Sequence, residues 1–240
     1  MGFFDFLGAL GYSDADVQRM NRRRRFILKP FKKDIEGARV LDLGAHDGRW
    51  AYALAAAGAT EVVAIEARPE LVAAYADFPE SDWKGRVTLR QGDLYDGLDG
   101  LERDGERFDV VALYGIYYHV MDHFRLLRQA TALGAKLIII DSEFITAENP
   151  MIQLVRERTD NDLNAAPQAE GQETAIIGIP STAAMERMAD ALGLGCEWVN
   201  WDELPPARRV SVADYYRTTP KRRRTCALRP KGAIPPGLET

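Results

Sequence analysis

The 240-residue sequence predicts a doubly wound α/β fold built on a mostly parallel sheet. Five apolar runs of strand length recur between residues 38 and 141, and alanine- and leucine-rich segments with helical spacing separate them. Continuous apolar strands that alternate with helices indicate a parallel sheet covered on both faces. The composition is 46% hydrophobic and 28% charged, as expected of a globular chain with a full core.

The elements follow from these patterns in chain order. The predicted strands of the parallel part cover residues 38–43, 61–66, 86–91, 108–114 and 136–141. Helices are predicted between them at residues 50–57, 69–78 and 124–133, and a later one at residues 181–192. Ser181 is a good N-cap for that last helix, and Gly193 is its stop. Two more strands, at residues 196–201 and 224–230, have no helix between them and predict an antiparallel pair at one sheet edge.

Two segments are predicted to lie outside this core. Residues 1–37 form an N-terminal helical segment, with its helix at residues 13–28. Residues 38–240 form the main domain, which a polar insertion at residues 144–178 interrupts. A loop of that length inside a compact domain is usually a lid or a binding element, or is disordered. We interpret the four arginines at residues 22–25 as a solvated helix face, with a grip on an acidic substrate as the alternative.

Charge and cysteine usage limit the partners and the location. A net charge of −5 argues against a nucleic-acid partner, because neutralising phosphates requires a basic face. Cys196 and Cys226 match no metal or redox spacing, so a reduced, cytoplasmic setting is the default expectation. No apolar run approaches the length of a membrane span, so we expect no membrane partner. The sequence leaves a homodimer open.

The first strand leads into a glycine loop, V-L-D-L-G-A-H-D-G-R-W at residues 40–50. Such a junction binds polar groups through its backbone amides. A dinucleotide fingerprint would need a glycine where His46 stands, and Asp47 at the helix start would repel a phosphate. Asp42, two residues before the first glycine, adds a further acid. A cationic or zwitterionic ligand without phosphate, such as S-adenosyl-L-methionine (SAM), fits this loop better than NAD.

The D-L-G-x-x-x-G stretch resembles motif I of class I SAM-dependent methyltransferases, with His46 in place of the usual middle glycine. The resemblance implies a Rossmann-like seven-stranded methyltransferase sheet, ordered 3-2-1-4-5 and completed by an antiparallel last strand. It also implies SAM as cofactor, with Glu66 accepting from the ribose and Asp93 reading the adenine beside Leu94. The candidate cofactor-binding residues are Asp42, Gly44, Ala45, His46, Gly48, Glu66, Ala67, Asp93, Leu94 and Tyr114.

Each acid also has a simpler interpretation. Glu66 could cap a helix, and Asp93 could form a turn. An NAD-dependent dehydrogenase would explain Glu66 equally well, but it would not explain the missing glycines. The order of all three acids, each at the end of a strand, favours the methyltransferase.

The end of the fourth strand carries a cluster of tyrosines and histidines. Its G-I-Y-Y-H stretch resembles the G-x-x-Y-H of the tRNA wobble-uridine carboxymethyltransferase family and its small-molecule relatives. The family's Tyr-His pair falls on Tyr118 and His119, and I-P-S-T-A-A at residues 179–184 resembles its P-S-x-x-A helix. Histidine is suited to removing a proton at neutral pH, so His119 is the candidate catalytic base, with simple packing as the alternative. The candidate substrate-binding residues are Tyr117, Tyr118, His123, Asp141 and Glu143.

The predicted function is SAM-dependent transfer of a methyl group to an oxygen or nitrogen of a small-molecule acceptor. RNA methyl or carboxymethyl transfer is one alternative, and a non-catalytic SAM-binding scaffold is another. No metal is predicted. The fourth strand ends in tyrosine, where the metal-dependent catechol O-methyltransferases place an aspartate.

Overall fold

The computed structural model describes residues 2–232, and these contain nine strands and seven α-helices. The strands are β1 (Arg39–Leu43), β2 (Glu61–Glu66), β3 (Val87–Gln91), β4 (Val110–Tyr114), β5 (Leu137–Ile145), β6 (Ile152–Arg158), β7 (Thr174–Pro180), β8 (Leu194–Trp198) and β9 (Lys221–Pro230). The helices are α1 (Asp14–Ile27), α2 (Lys32–Ile35), α3 (Arg49–Ala56), α4 (Pro69–Ala74), α5 (Leu94–Arg103), α6 (His123–Ala132) and α7 (Thr182–Ala191). The last residues of the predicted main domain, 233–240, lie outside the described residues.

Seven strands form one sheet in the order β3-β2-β1-β4-β5-β9-β8. The first five run parallel, and β9 runs antiparallel to both of its neighbours. The predicted fold class, the 3-2-1-4-5 order and the antiparallel pair at the edge are confirmed. The order in which successive strands are added to the sheet reverses between β1 and β4, and ligands of open α/β sheets bind in the crevice at that point.

The core consists of two apolar layers, one on each face of the sheet. Because side chains alternate along a strand, Val40 of β1 packs into one layer and Leu41 into the other. Helices α1 and α3 cover the first layer, which includes Phe26 and Trp50. Helices α5, α6 and α7 cover the second.

The N-terminal segment differs from the prediction, since it belongs to the core. Helix α1 begins after Ser13, whose hydroxyl accepts from the Asp16 amide, close to the predicted start. Phe4 and Leu7, in the segment that precedes α1, are fully buried in the first apolar layer. Phe26 at the end of α1 stacks on Trp201 with ring centroids 4.4 Å apart. The segment is therefore part of the domain.

The predicted insertion, residues 144–178, differs from the structure at both ends, because β5 runs to Ile145 and β7 runs to Pro180. Strand β5 continues to Ile145, because its last residues pair with β9, and Phe144 is fully buried. Strands β6 and β7 pair antiparallel as a separate two-stranded ribbon. We call residues 152–180 the hairpin. No helix within residues 2–232 combines the length and the apolar character needed to cross a bilayer.

Candidate active site

A cleft of about 1200 Å³ opens at the carboxyl ends of β1 to β4. Its floor comes from the loop after β1, the ends of β2 and β3, and the segment after β4. Helix α1 contributes to the wall on one side, and the hairpin loop contributes on the other. The switch point of the sheet therefore lies at this partly open cleft, as expected for a ligand site of this fold class.

The glycine loop, residues 44–48, has three left-handed residues: Gly44 (φ +67°), His46 (φ +54°) and Gly48 (φ +81°). A Cβ at Gly44 would lie 2.7 Å from Cβ of Ile116, so a side chain there would clash with the segment after β4. A positive φ is uncommon outside glycine, although histidine adopts it more readily than most residues. The backbone amide of His46 donates to Oε2 of Glu66 at 2.8 Å, which helps to hold this turn.

Glu66, at the end of β2, lines the cleft and is largely buried. One carboxylate oxygen accepts from the His46 amide, and the other accepts from the Arg68 amide at 3.0 Å. A carboxylate has about four lone-pair sites, so two remain for donors in the cleft. Glu66 thus supports its own loop and retains the capacity to accept from hydroxyl groups.

Asp93 follows β3 and lines the same cleft with Leu94. Its Oδ1 accepts from the backbone amides of Tyr95 at 2.8 Å and of Asp96 at 3.2 Å, so it is the N-cap of α5. The simpler interpretation of Asp93 was a turn, and the structure instead shows it as a helix cap. Its position in the cleft keeps a ligand-binding role compatible with that cap.

Three of the predicted cofactor-binding residues do not line the cleft: Asp42, Ala45 and Gly48. Asp42 lies on the central strand and is 1% exposed, and burial, together with the nearby Glu66 charge, raises its pKa to about 8. A Cβ at Gly48 would lie 2.6 Å from the Tyr75 ring, so this glycine packs inward. These residues shape the loop from below, while Gly44, His46, Glu66, Ala67, Asp93, Leu94 and Tyr114 face the cleft.

The segment after β4 separates the two neighbouring tyrosines. A short 3₁₀ turn, Tyr117–His119, places Tyr118 and His119 at the cleft. Tyr117 points into the core instead, where it is fully buried and meets the His123 ring edge-on at 4.9 Å. The predicted substrate contact by Tyr117 therefore finds no support in the structure, because its ring fills the second apolar layer.

His119 is held by a residue of the hairpin. Its Nδ1 lies 2.7 Å from Oε2 of Glu157 in β6, and its side chain is 6% exposed. Burial alone would raise the pKa of Glu157, but the hydrogen bonds from His119 and from the Ala165 amide lower it below the usual range. Nε2 of His119 has no hydrogen-bond partner within residues 2–232. The imidazole thus has one nitrogen engaged and one available.

The other predicted substrate contacts lie away from the cleft. His123 is 1% exposed, and its ring nitrogens meet the Gly178 carbonyl at 2.9 Å and the Met121 carbonyl at 3.1 Å. Burial lowers the pKa of His123, and the hydrogen bonds to the Gly178 and Met121 carbonyls offset part of that effect. Asp141 is fully buried, and Glu143 forms ion pairs with Arg217 and Lys221 on the far side. These three side chains hold the structure together and do not line the cleft.

A buried ion-pair cluster beside the cleft was not predicted from the sequence. Asp141 accepts from Arg23 at 2.8 Å and from Arg223 at 3.0 Å, and Arg223 also pairs with Asp214 at 3.1 Å. Arg19 forms a bidentate pair with Asp214. Arg23 is only 6% exposed, so the arginine run is not simply a solvated face. Both Arg23 and Arg223 border the cleft, and the cluster ties α1 to β5 and β9.

We expect this cluster to make folding stability sensitive to acid. Burial alone would raise the pKa of Asp214, but its contacts with Arg19 and Arg223 outweigh burial and lower it to about 2. Asp214 therefore stabilises the fold above its unfolded pKa near 3.9, and this contribution, on the order of 2 kcal/mol, is lost as the pH falls towards about 2. Urea unfolding between about pH 6 and about pH 2 measures it. Asp214→Asn should give a shallower decline, and equal slopes for both proteins would contradict the assignment.

No role was predicted for Arg68, which lies two residues after Glu66. Its Nη2 lies 3.1 to 3.4 Å from four backbone carbonyls of the hairpin loop, those of Thr159, Asn161, Asn164 and Ala165. The guanidinium thereby holds the loop beside the end of β2. An arginine in the sequence gives no sign of such contacts, because they are made to backbone atoms more than 90 positions away.

Comparisons with known proteins agree with this geometry. The sequence family described as a methyltransferase domain matches residues 15–159, more than half of the chain. A tRNA U34 carboxymethyltransferase of Campylobacter hominis is 25% identical over 127 residues, covering 51% of this chain and 42% of that protein. A magnesium-protoporphyrin O-methyltransferase of Rhodobacter capsulatus is 34% identical over 115 residues, 47% of each chain. The matches span less than half the length of these curated relatives.

Solved structures share the fold. The N-terminal domain of EvdMO1, crystallised in the presence of SAH and D-fucose, superposes with a TM-score of 0.64 at 19% identity, covering 91% of this chain and 85% of that one. A SAM-dependent methyltransferase from Mesorhizobium loti gives 0.59 at 18% identity, with 90% and 99% covered. The [4+2]-cyclase SpnF gives 0.54 at 15% identity, with 84% and 80% covered.

The fold, the cleft at its switch point and the family match all point to one class of protein. The methyltransferase resemblance drawn from motif I is thereby confirmed. The chain belongs to the methyltransferase domain family.

Proposed function

We propose that the chain is an SAM-dependent methyltransferase that transfers a methyl group to an oxygen or nitrogen of a small-molecule acceptor. One observation carries the proposal: Glu66, Asp93 and His119 face the same cleft from the ends of β2, β3 and β4. The cofactor, when bound, supplies an electrophilic methyl group on a sulfonium. The chain supplies the binding groups on one side of the cleft and a proton acceptor on the other.

The residues that face the cleft fit this cofactor. The free lone pairs of Glu66 suit the two ribose hydroxyls, and Leu94 offers an apolar surface for the adenine. No phosphate has to be placed near Asp47, which is ion-paired with Arg49 at the start of α3. The cleft volume, about 1200 Å³, exceeds the roughly 300–1,000 Å³ of pockets for drug-sized ligands, so it leaves room for an acceptor beside the cofactor.

His119 is the side chain best suited to remove a proton from the acceptor. Its Nε2 is available, whereas Asp141 has its oxygens engaged by two arginines and two hydroxyls. Glu143 is paired outside the cleft. Methyl transfer also requires the nucleophile to be held in line with the methyl group, and a cleft between α1 and the hairpin serves that purpose.

The relatives support a small-molecule acceptor. The magnesium-protoporphyrin O-methyltransferase is named for a small molecule, and the EvdMO1 domain was crystallised with a sugar. The net charge of −5 argues against a nucleic-acid acceptor, although one relative is a tRNA enzyme. We also propose a cytoplasmic location, in keeping with the two free cysteines. A homodimer stays open, and light scattering would decide it.

The first test is cofactor binding. Titration calorimetry with S-adenosylhomocysteine (SAH) should give one site per chain, and Glu66→Ala should weaken binding by roughly 1–3 kcal/mol, because charge-assisted hydrogen bonds are lost. Glu70→Ala is a matched control, since Glu70 is an exposed acid at the start of α4. Equal affinity of the wild type and Glu66→Ala would contradict the assignment. Tighter binding of NAD than of SAH would favour the dehydrogenase.

The second test is turnover. A screen for SAM consumption against metabolite extract and against tRNA should identify a small-molecule acceptor. Consumption with tRNA alone would favour the RNA alternative. SAH binding without any consumption would favour a scaffold or a different reaction on the same fold, as the cyclase SpnF illustrates.

A further inference from the structure

We propose that Glu157 of the hairpin is a positioning residue that fixes the tautomer of His119 and so makes Nε2 its proton-accepting atom. The inference rests on the proposed function, since it assigns the group that prepares the base for methyl transfer. It also gives the hairpin a role beyond covering the cleft.

The contact between the two side chains is short and shielded. Oε2 of Glu157 lies 2.7 Å from Nδ1 of His119 and also accepts from the Ala165 amide at 2.9 Å. The side chains are 16% and 6% exposed, although most residues of β6 are exposed. Glu157 and Val155 are the half-buried residues of this strand, and the Glu157 carboxylate meets a side chain of the segment after β4.

A carboxylate at this place decides which ring nitrogen carries the proton. An ionised glutamate only accepts hydrogen bonds, so Nδ1 must be the donor. A neutral imidazole has a single N–H, and Nε2 is then left with a free lone pair. When Nε2 takes up a proton, the neighbouring Glu157 carboxylate stabilises the imidazolium that forms. This division of roles is the logic of a base oriented by a third group.

The same hairpin contacts both sides of the cleft. Its loop is held by the Arg68 guanidinium at the end of β2, beside the Glu66 segment. Ala165, whose carbonyl meets Arg68, also donates its amide to Glu157. Ala165 therefore takes part both in the contact that holds the loop beside Glu66 and in the contact that holds Glu157 at His119.

Nitrogen NMR of the imidazoles tests the proposal without any acceptor. The chain has three histidines, so ¹⁵N-histidine labelling gives a simple spectrum, and His119→Ala assigns the His119 signals by their loss. With SAH added, at alkaline pH, wild-type His119 should be protonated at Nδ1. Glu157→Ala removes the acceptor at Nδ1, so the population of that tautomer should fall.

A matched control lies on the same hairpin. Asp160 is an exposed acid that pairs with Arg158, and Asp160→Ala should leave the His119 signals as in the wild type. Wild-type His119 protonated at Nε2 would overturn the proposal, and so would an unchanged tautomer in Glu157→Ala. A failure of SAH to bind in calorimetry would instead contradict the proposed function, because the tautomer can be read without it.

Turnover gives a second readout once the screen has supplied an acceptor. Glu157→Gln should lower kcat by about 10- to 100-fold, the usual effect of removing a group that orients a functional histidine. The KM for SAM should change little, because the proposed cofactor contacts lie at β1 to β3 and at Tyr114, and none of them is on the hairpin. Full kcat in Glu157→Gln, combined with loss of kcat in His119→Ala, would reject the positioning role and leave the base in place.

Discussion

His119→Ala is expected to lower kcat by about 10²–10⁴, the range over which a positioned general base contributes. The expected loss follows from the geometry after β4, where His119 lines the cleft and Glu157 holds its Nδ1, which leaves Nε2 without a partner among residues 2–232. SAH affinity should stay nearly unchanged, because His119 is not among the groups assigned to the cofactor, which lie at the ends of β1, β2 and β3 and at Tyr114. Steady-state kinetics with the acceptor from the screen, together with calorimetry, separates the two effects.

His123→Gln is the natural control for this experiment. His123 is also a histidine near the end of β4, but its ring bridges Met121 and Gly178 and does not reach the cleft. The variant should retain most of the kcat, while its melting temperature falls because a buried ring is replaced. If His119→Ala kept full activity with the true acceptor, the enzyme would work by proximity alone, and His119 would be a packing residue.

The sheet could be predicted from the sequence because its signal is local. Four of the five parallel strands are mainly apolar runs, which are typical of buried strands, whereas β3 has only half-buried and exposed residues. The bounds of β2 are the same in the prediction and in the structure. The motif I loop, Glu66 and Asp93 could be placed at the cleft for the same reason, because the ends of neighbouring parallel strands meet at one edge.

The orientation of the two tyrosines after β4 could not be predicted from the sequence. Tyr117 and Tyr118 are adjacent and chemically identical, yet one is in the core and the other lines the cleft. The difference arises from the direction of a single 3₁₀ turn. Composition and spacing carry no information on that direction. The position of the cluster after β4 could therefore be predicted, but not which tyrosine lines the cleft.

The hairpin and the burial of Arg23 could not be predicted from the sequence, for a different reason. The residues of β6 are mostly exposed, so they show no apolar alternation that would predict a strand. Arg23 and Asp141 are 118 positions apart, and the helix that carries Arg23 looks solvated until it is docked. Charged residues that become buried together cannot be predicted from sequence patterns, because each one alone resembles a surface residue.

Asp141→Asn is expected to be the most destabilising of the changes considered, at roughly 3–5 kcal/mol, the usual cost of removing one partner of a buried ion pair. The Asp141 carboxylate receives Arg23 at 2.8 Å, Arg223 at 3.0 Å, the Tyr215 hydroxyl at 2.6 Å and the Thr225 hydroxyl at 2.7 Å. A neutral amide of the same shape would leave two buried guanidinium groups facing each other, with Asp214 as the remaining counter-charge of the cluster. The free energy of unfolding from urea titrations at neutral pH measures the loss.

Glu143→Gln on the same strand is the matched control. Glu143 also pairs with two cations, but Arg217 and Lys221 are each 46% exposed, so solvent compensates for most of the lost charge. We expect a cost below about 1 kcal/mol for this partly solvated pair. A large difference between the two variants means that burial, rather than the number of ion pairs, makes Asp141 the anchor of α1. If Asp141→Asn cost no more than Glu143→Gln, the arginines would be stabilised by other contacts, and α1 would dock through its apolar residues alone.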